Sequence, residues 1–209
     1  MTGPANALAA DPRVFVALDL PSVEEARRMV ALLGDSVASY KIGLQLLPIG
    51  GVELGRELRA QGKNVFLDFK FHDIDATVEK ATASVAGLAA QLLTVHARPD
   101  VMRAAVRGKG GSNLKILGVT VLTSLDKQAL EDIGYNDNAS PLEAASIRAL
   151  VPDSFLVVTP GVRPRGSAAG DQKRIATPSA ALSSGATHLV VGRPITQADD
   201  PAQSARSIM

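Results

Sequence analysis

Apolar residues along this chain fall into two alternating textures. One is the short continuous run, found at Arg13–Asp19, Ser39–Gly43, Asn64–Phe69, Leu92–His96, Lys115–Leu122, Phe155–Thr159, Arg174–Thr177 and His188–Gly192. The other is the longer Ala-, Leu- and Glu-rich stretch with apolar residues at helical spacing. Such stretches are Val52–Ala60, Val78–Leu88, Val101–Val106, Leu142–Leu150 and Ser179–Ser184. A further helix opens at Pro21-Ser22, with Glu24 and Glu25 in its first turn, where negative charge is favoured. Runs that are continuous rather than alternating predict strands buried on both faces, hence a parallel sheet. Strand and helix in strict alternation predict an α/β fold. Eight such units predict a closed (β/α)8 TIM barrel in a single domain over residues 1–209, with residues 1–11 a loose leading segment. The chain is short for that fold, whose usual length is about 250 residues with a floor near 200.

Polar residues gather at the C-terminal ends of the runs: Asp19, Lys41, Asp68 with Lys70, His96, Thr123 with Ser124, Arg163 and Arg193. In a barrel these ends converge on one mouth, where active sites lie. In an open sheet they would spread along an edge. No Gly-x-Gly-x-x-Gly follows the first run, so a dinucleotide fold loses its main support.

Composition narrows the chemistry. Twenty-two basic side chains nearly cancel 21 acidic ones. That balance argues against a non-specific nucleic-acid binder, which needs a cationic surplus, and leaves room for one small anionic ligand. Five Phe, two Tyr and no Trp make the core aliphatic. The absence of cysteine removes disulfides, thiolate metal sites and Cys nucleophiles. No apolar run reaches the ~18 residues of a membrane span. The leading residues lack the basic start of a secretory signal, so the expected compartment is the cytoplasm.

The densest motif is Asp68-Phe-Lys70-Phe-His72-Asp73-Ile74. Strand alternation puts Asp68 and Lys70 on one face, where they are expected to pair, with Asp73 extending the row of alternating charge. A lysine held between carboxylates stays protonated and fixed, which suits a general acid aimed at one carbon. The spacing fits equally a strand-end salt bridge without chemistry, and Asp73 fits equally an N-cap for the helix near Asp75. A second group is Thr159-Pro-Gly-Val-Arg163, Gly170-Asp-Gln172 and Val191-Gly192-Arg193-Pro. Loops after the last two barrel strands often bind phosphate through backbone N–H groups; Gly192 permits close approach and Arg193 offers a bidentate fork. His96 reads as structural. His72 and His188 have no metal-ligand spacing, and Asp68 with Asp73 leaves only a weak divalent-ion option. Thr123 and Ser124 fit a ligand contact and an ordinary strand end equally well. The small residues from Pro164 to Gly170 form a lid candidate.

Together these residues resemble the orotidine 5'-monophosphate decarboxylase family, bacterial type. The resemblance rests on Ala17-Leu-Asp19, Lys41-Ile-Gly43, Asp68 to Ile74, Thr94-Val-His96-Ala97, Val121-Leu-Thr-Ser124, Thr159 to Pro164, Gly166 to Gln172 and Gly192-Arg-Pro-Ile195. It implies cofactor-independent, metal-free decarboxylation of orotidine 5'-monophosphate, the last step of de novo pyrimidine nucleotide synthesis. It further implies that Lys70 protonates C6, that Asp68 sits against the substrate carboxylate, and that Asp19 and Lys41 hold the ribose. Asp73 and Thr77 would serve the partner's site in a homodimer, and Ile74 would contact the substrate. Thr123 and Ser124 would meet the pyrimidine, Gln172 would bridge base and phosphate, and Arg163, Gly192 and Arg193 would take the phosphate. Two positions depart from the family pattern: Ala76 stands where Asn is usual, and Arg98-Pro99-Asp100 replaces a small Ser-Gly-Gly turn. Rival readings are a magnesium-dependent sugar-phosphate decarboxylase or synthase of the same superfamily, and a non-catalytic nucleotide sensor.

Overall fold

The computed structural model describes residues 10–120, 122, 125, 127–132, 144–164 and 176–208. Among them, seven strands form one parallel sheet: β1 Val14–Ala17, β2 Ser39–Gly43, β3 Asn64–Phe71, β4 Leu92–His96, β5 Lys115–Val119, β6 Val158–Thr159 and β7 His188–Val191. Their order across the sheet is β5-β4-β3-β2-β1-β7-β6. Strand β1 therefore lies mid-sheet, with Phe15 paired to Ser39 on one side and Val14 to Leu189 on the other. Parallel neighbours need a crossover. Helices α1 (Val23–Leu33), α2 (Gly51–Ala60), α3 (Asp75–Ala86) and α4 (Pro99–Lys109) supply it for each step from β1 to β5. Beyond β5 come α5 (Lys127–Asp132), α6 (Ala144–Leu150), α7 (Pro178–Ser183), α8 (Arg193–Thr196) and α9 (Pro201–Ile208).

Local chemistry explains the helix starts. The Ser22 hydroxyl caps α1 by accepting the Glu25 N–H at 3.2 Å, as the Pro21-Ser22 signal anticipates. Pro99 opens α4, where its missing N–H costs nothing. Helix α1 lays Val23, Ala26, Val30 and Leu33 against the sheet, one stripe at helical spacing.

Two apolar layers account for the continuous strands. Outward residues such as Val14, Val16, Tyr40, Ile42, Val65, Leu67, Leu93 and Val95 join the large core beneath the helices. Inward residues Phe15, Ala17, Phe66, Leu92 and Val190 form a second cluster, with Leu117, Leu156 and Val158 packed on it. Phe15 and Phe66 meet edge to face, ring centroids 5.7 Å apart. The result is a parallel α/β wall curled about an inner layer, consistent with a TIM-type barrel.

The eight-run expectation changes at its seventh member. Strand β6 pairs directly with β7, Val158 to His188 and Thr159 to Leu189, and Arg174 and Ile175 of the predicted run lie outside the described residues. In its described part, Ala176 makes an isolated bridge to Val162 and Thr177 is the N-cap of α7. The cause is Pro178, which holds Thr177 extended and so gives a helix cap the look of a strand. Two further runs shorten. Phe155–Thr159 contracts to two strand residues, leaving Phe155 exposed, and Lys115–Leu122 ends at Val119.

Candidate active site

One step above the inner apolar layer, polar side chains take over the inward positions. On β2 this is Lys41 above Ser39, on β3 Asp68 above Phe66, and on β4 Thr94 and His96 above Leu92. The Lys41 ammonium donates to Asp19 Oδ1 at 3.0 Å and lies 3.3 Å from Asp68 Oδ2. The Lys70 ammonium donates to Asp68 Oδ1 at 2.8 Å. Asp19, Lys41, Asp68 and Lys70 thus form one row of alternating charge. Lys41 is 7% exposed, and a charge so buried persists because both carboxylates flank it. Burial alone would raise the Asp68 carboxyl. The charge of Lys41, the hydrogen bond and charge of Lys70 and the Thr94 hydroxyl outweigh it and hold the group below its ordinary value. Asp68 is therefore anionic at neutral pH.

The backbone beneath the row is unusual. Leu67 pairs with Leu93, but the next β3–β4 pair is Phe71 with Val95. Asp68, Phe69 and Lys70 thus stand opposite the single residue Thr94. Lys70 takes φ 51°, a left-handed conformation that costs an L residue roughly 1–2 kcal/mol. Such a bulge re-aims a side chain, and bulges are over-represented beside active sites. Gly43 is equally tied to the site, since a Cβ there would lie 2.7 Å from Asp19 Oδ1 and 3.0 Å from Lys41 Nζ.

The remaining candidates separate into three places. Asp73, Ile74 and Thr77 are exposed on the rim where β3 passes into α3. Asp73 does not extend the charged row: its carboxylate accepts the Ile74 N–H at 2.7 Å. Nor does it cap α3, whose N-cap is Ile74, because the chain is still extended at that residue. Arg163 follows β6 and is 6% exposed, its guanidinium donating to the Val162 carbonyl at 3.0 Å. Gly192 and Arg193 follow β7, with Gly192 against Ala17 of β1 and Arg193 exposed at the start of α8. Thr123, Ser124, Gln172 and residues 165–170 of the lid candidate lie outside the described residues, as do residues 1–9 of the leading segment.

The rim holds an open cavity of about 490 Å³, lined by His72, Asp73, Ile74, Asp75, Arg98 and Asp100. His72 and His96 stack there with ring centroids 4.4 Å apart, and an Arg98 Nη lies 3.2 Å from His72 Nε2. Burial, then the charges of His72 and Lys70, lower the His96 pKa, which keeps its ring neutral at physiological pH. Among the described residues no three His, Cys, Asp or Glu side chains gather as a metal-ligand group. None of the described helices is long and apolar enough to cross a membrane.

A parallel α/β wall whose first strands end in a lysine–carboxylate row defines an enzyme site of the barrel type. The chain belongs to the orotidine 5'-phosphate decarboxylase / HUMPS family, whose model matches residues 12–208. A curated relative, the orotidine 5'-phosphate decarboxylase of Caulobacter sp. (strain K31), is 52% identical and the match covers 97% of each chain. That alignment runs over 223 positions, more than the 209 residues of this chain, so the relative carries residues that this chain lacks within the matched span. The crystal structure of the orotidine 5'-phosphate decarboxylase from Lactobacillus acidophilus superposes with a TM-score of 0.77 at 31% identity, covering 95% of this chain and 97% of that one. A structure from Pyrococcus horikoshii OT3, at 22% identity and a TM-score of 0.70, shares the fold, with 93% of this chain and 96% of that chain covered.

Proposed function

We propose that this chain removes CO2 from orotidine 5'-monophosphate to give UMP, with Lys70 as the proton donor. The observation that carries this is the Asp19–Lys41–Asp68–Lys70 row at the mouth of the sheet, in a chain of this family. Breaking the bond between C6 and the carboxylate leaves its electron pair on C6, in the plane of the ring, where no π-system spreads it. The Lys70 ammonium opposes that charge and gives its N–H proton to C6; solvent then reprotonates the amine. Asp68 faces the departing carboxylate, a like-charge contact that ends when CO2 leaves. Asp19 and Lys41 hold the ribose hydroxyls, and Thr123 and Ser124 the base. Gln172 bridges base and phosphate, and Arg163, Gly192 and Arg193 bind the phosphate, whose remote binding energy organises the site.

The site is completed by a second copy. Asp73, Ile74 and Thr77 are assigned to the partner's substrate in a homodimer. Ile74 supports this, since its apolar side chain is 71% exposed beside the rim cavity, where a partner would cover it. The whole chain acts as one barrel domain. The eight-stave count requires a strand between β5 and β6, an interval whose described residues hold α5 and α6. On this reading the enzyme works in the cytoplasm on a small nucleotide, without nucleic acid, metal or cofactor.

The direct test follows the ultraviolet change of orotidine 5'-monophosphate with EDTA present. Turnover unaffected by chelation supports the assignment. An intact nucleotide, or turnover that needs magnesium, overturns it. A companion variant checks the ribose contacts. Gly43→Ala forces Asp19 and Lys41 apart, and UMP binding measured by calorimetry is expected to weaken roughly tenfold, the worth of one charged hydrogen bond. Unchanged affinity would remove those two residues from the ribose.

A further inference from the structure

We propose that Thr94 is a positioning residue for the reaction: its hydroxyl fixes the Lys70 backbone and the Asp68 carboxylate to one another. The inference rests on Lys70 being the proton donor. Where the β3–β4 ladder breaks, Lys70 loses a backbone partner across the gap, and the Thr94 Oγ1 takes that place by accepting the Lys70 N–H at 3.0 Å. The same hydroxyl donates its one proton to Asp68 Oδ1, also at 3.0 Å. Its donor and acceptor capacities are thus both committed, one to each member of the pair.

The anchor is itself rigid. Thr94 is 5% exposed, lies mid-strand in β4 and pairs with Leu117 of β5. Its branched Cβ restricts χ1, so the hydroxyl has little freedom to turn away. A left-handed lysine persists only where its surroundings over-determine it. The bond from Lys70 N–H to Thr94 is such a constraint. It acts on the backbone from which the ammonium is aimed, while the second bond sets the carboxylate oxygen that the ammonium meets. Without the hydroxyl, the bulge can relax toward an ordinary strand and swing the ammonium off its target. Substrate binding through the distant phosphate would persist.

The test compares Thr94→Val, which keeps the shape and removes the hydroxyl, with Thr94→Ser, which keeps the hydroxyl. Wild type and Lys70→Ala are assayed alongside. Thr94→Val is expected to lower kcat roughly a hundredfold, the scale of a small misplacement of a reacting group, with KM changed by less than about threefold. Thr94→Ser is expected to retain kcat within about threefold. Thermal melting followed by circular dichroism verifies folding, and Thr94→Ala replaces the valine variant if that one does not fold. Wild-type kcat in either folded hydroxyl-free variant overturns the proposal. So does a serine variant that falls as far as valine, or a loss carried by KM alone. A wild type that leaves the nucleotide intact overturns the functional assignment and this inference together, whereas an active wild type with an active valine variant overturns this inference alone.

Discussion

Lys70→Ala is expected to lower kcat on the order of 10⁴-fold, the upper end of what a positioned general acid contributes. The large value is argued from two roles in one atom. The ammonium that supplies the proton is also the cation facing the developing charge on C6, so its removal takes away donor and electrostatic stabilisation together. The fold should survive. Asp68 keeps Lys41 at 3.3 Å and the Thr94 hydroxyl, so it is not left as a lone buried charge. Alanine in the left-handed conformation bears the same kind of strain as lysine, so the backbone gains no new reason to move. Steady-state kinetics paired with a thermal melt decides the matter. Residual turnover within tenfold of wild type would assign the proton to another group.

Mixing Lys70→Ala with Asp73→Ala should restore activity that neither variant has alone. In a two-fold dimer each site would take Lys70 from one copy and Asp73 from the other. A hybrid therefore joins both defects in one site and leaves its second site intact. Random exchange of subunits gives about a quarter of wild-type activity per subunit. The structure motivates the experiment, because within one chain Asp73 is exposed and stands apart from the row that contains Lys70. If the mixture stays inactive under conditions where labelled subunits demonstrably exchange, Asp73 acts within its own chain or not at all.

Strands β1 to β5 were legible because burial on both faces leaves continuous apolar runs, and the Ser22 cap because its chemistry is local. The pairing of Asp68 with Lys70 followed from strand alternation and is found at 2.8 Å. The charge order of the motif suggested that Asp73 continues the row, which it does not do within one chain. Past Phe71 the chain leaves the strand, so period two no longer applies. The bulge at Lys70 left no mark in the sequence, since a positive φ is normally signalled by glycine and here falls on lysine. Thr94 did leave a signal, a polar residue between inward-facing Leu92 and His96. A lone threonine in a strand also reads as ordinary β-propensity, so its contact with Asp68 needed coordinates. At the end of the run Arg174–Thr177 the described Thr177 is a helix cap, because the residue before a proline is extended whether it ends a strand or starts a helix.

The central place of β1 bears on how the chain is made. During synthesis β2, β3, β4 and β5 can each dock on the strand that left the ribosome just before, by way of one helix. The second edge of β1 has no such neighbour in time. Its partner β7 begins only at His188, far along the sequence, so Val14 and Val16 wait with one side unpaired until that strand is made. A half-made wall with a bare apolar edge is the kind of species that chaperones hold and that aggregates when they are scarce. Truncation within β7 should therefore cost the cell soluble protein, in addition to removing Gly192 and Arg193 from the proposed phosphate site.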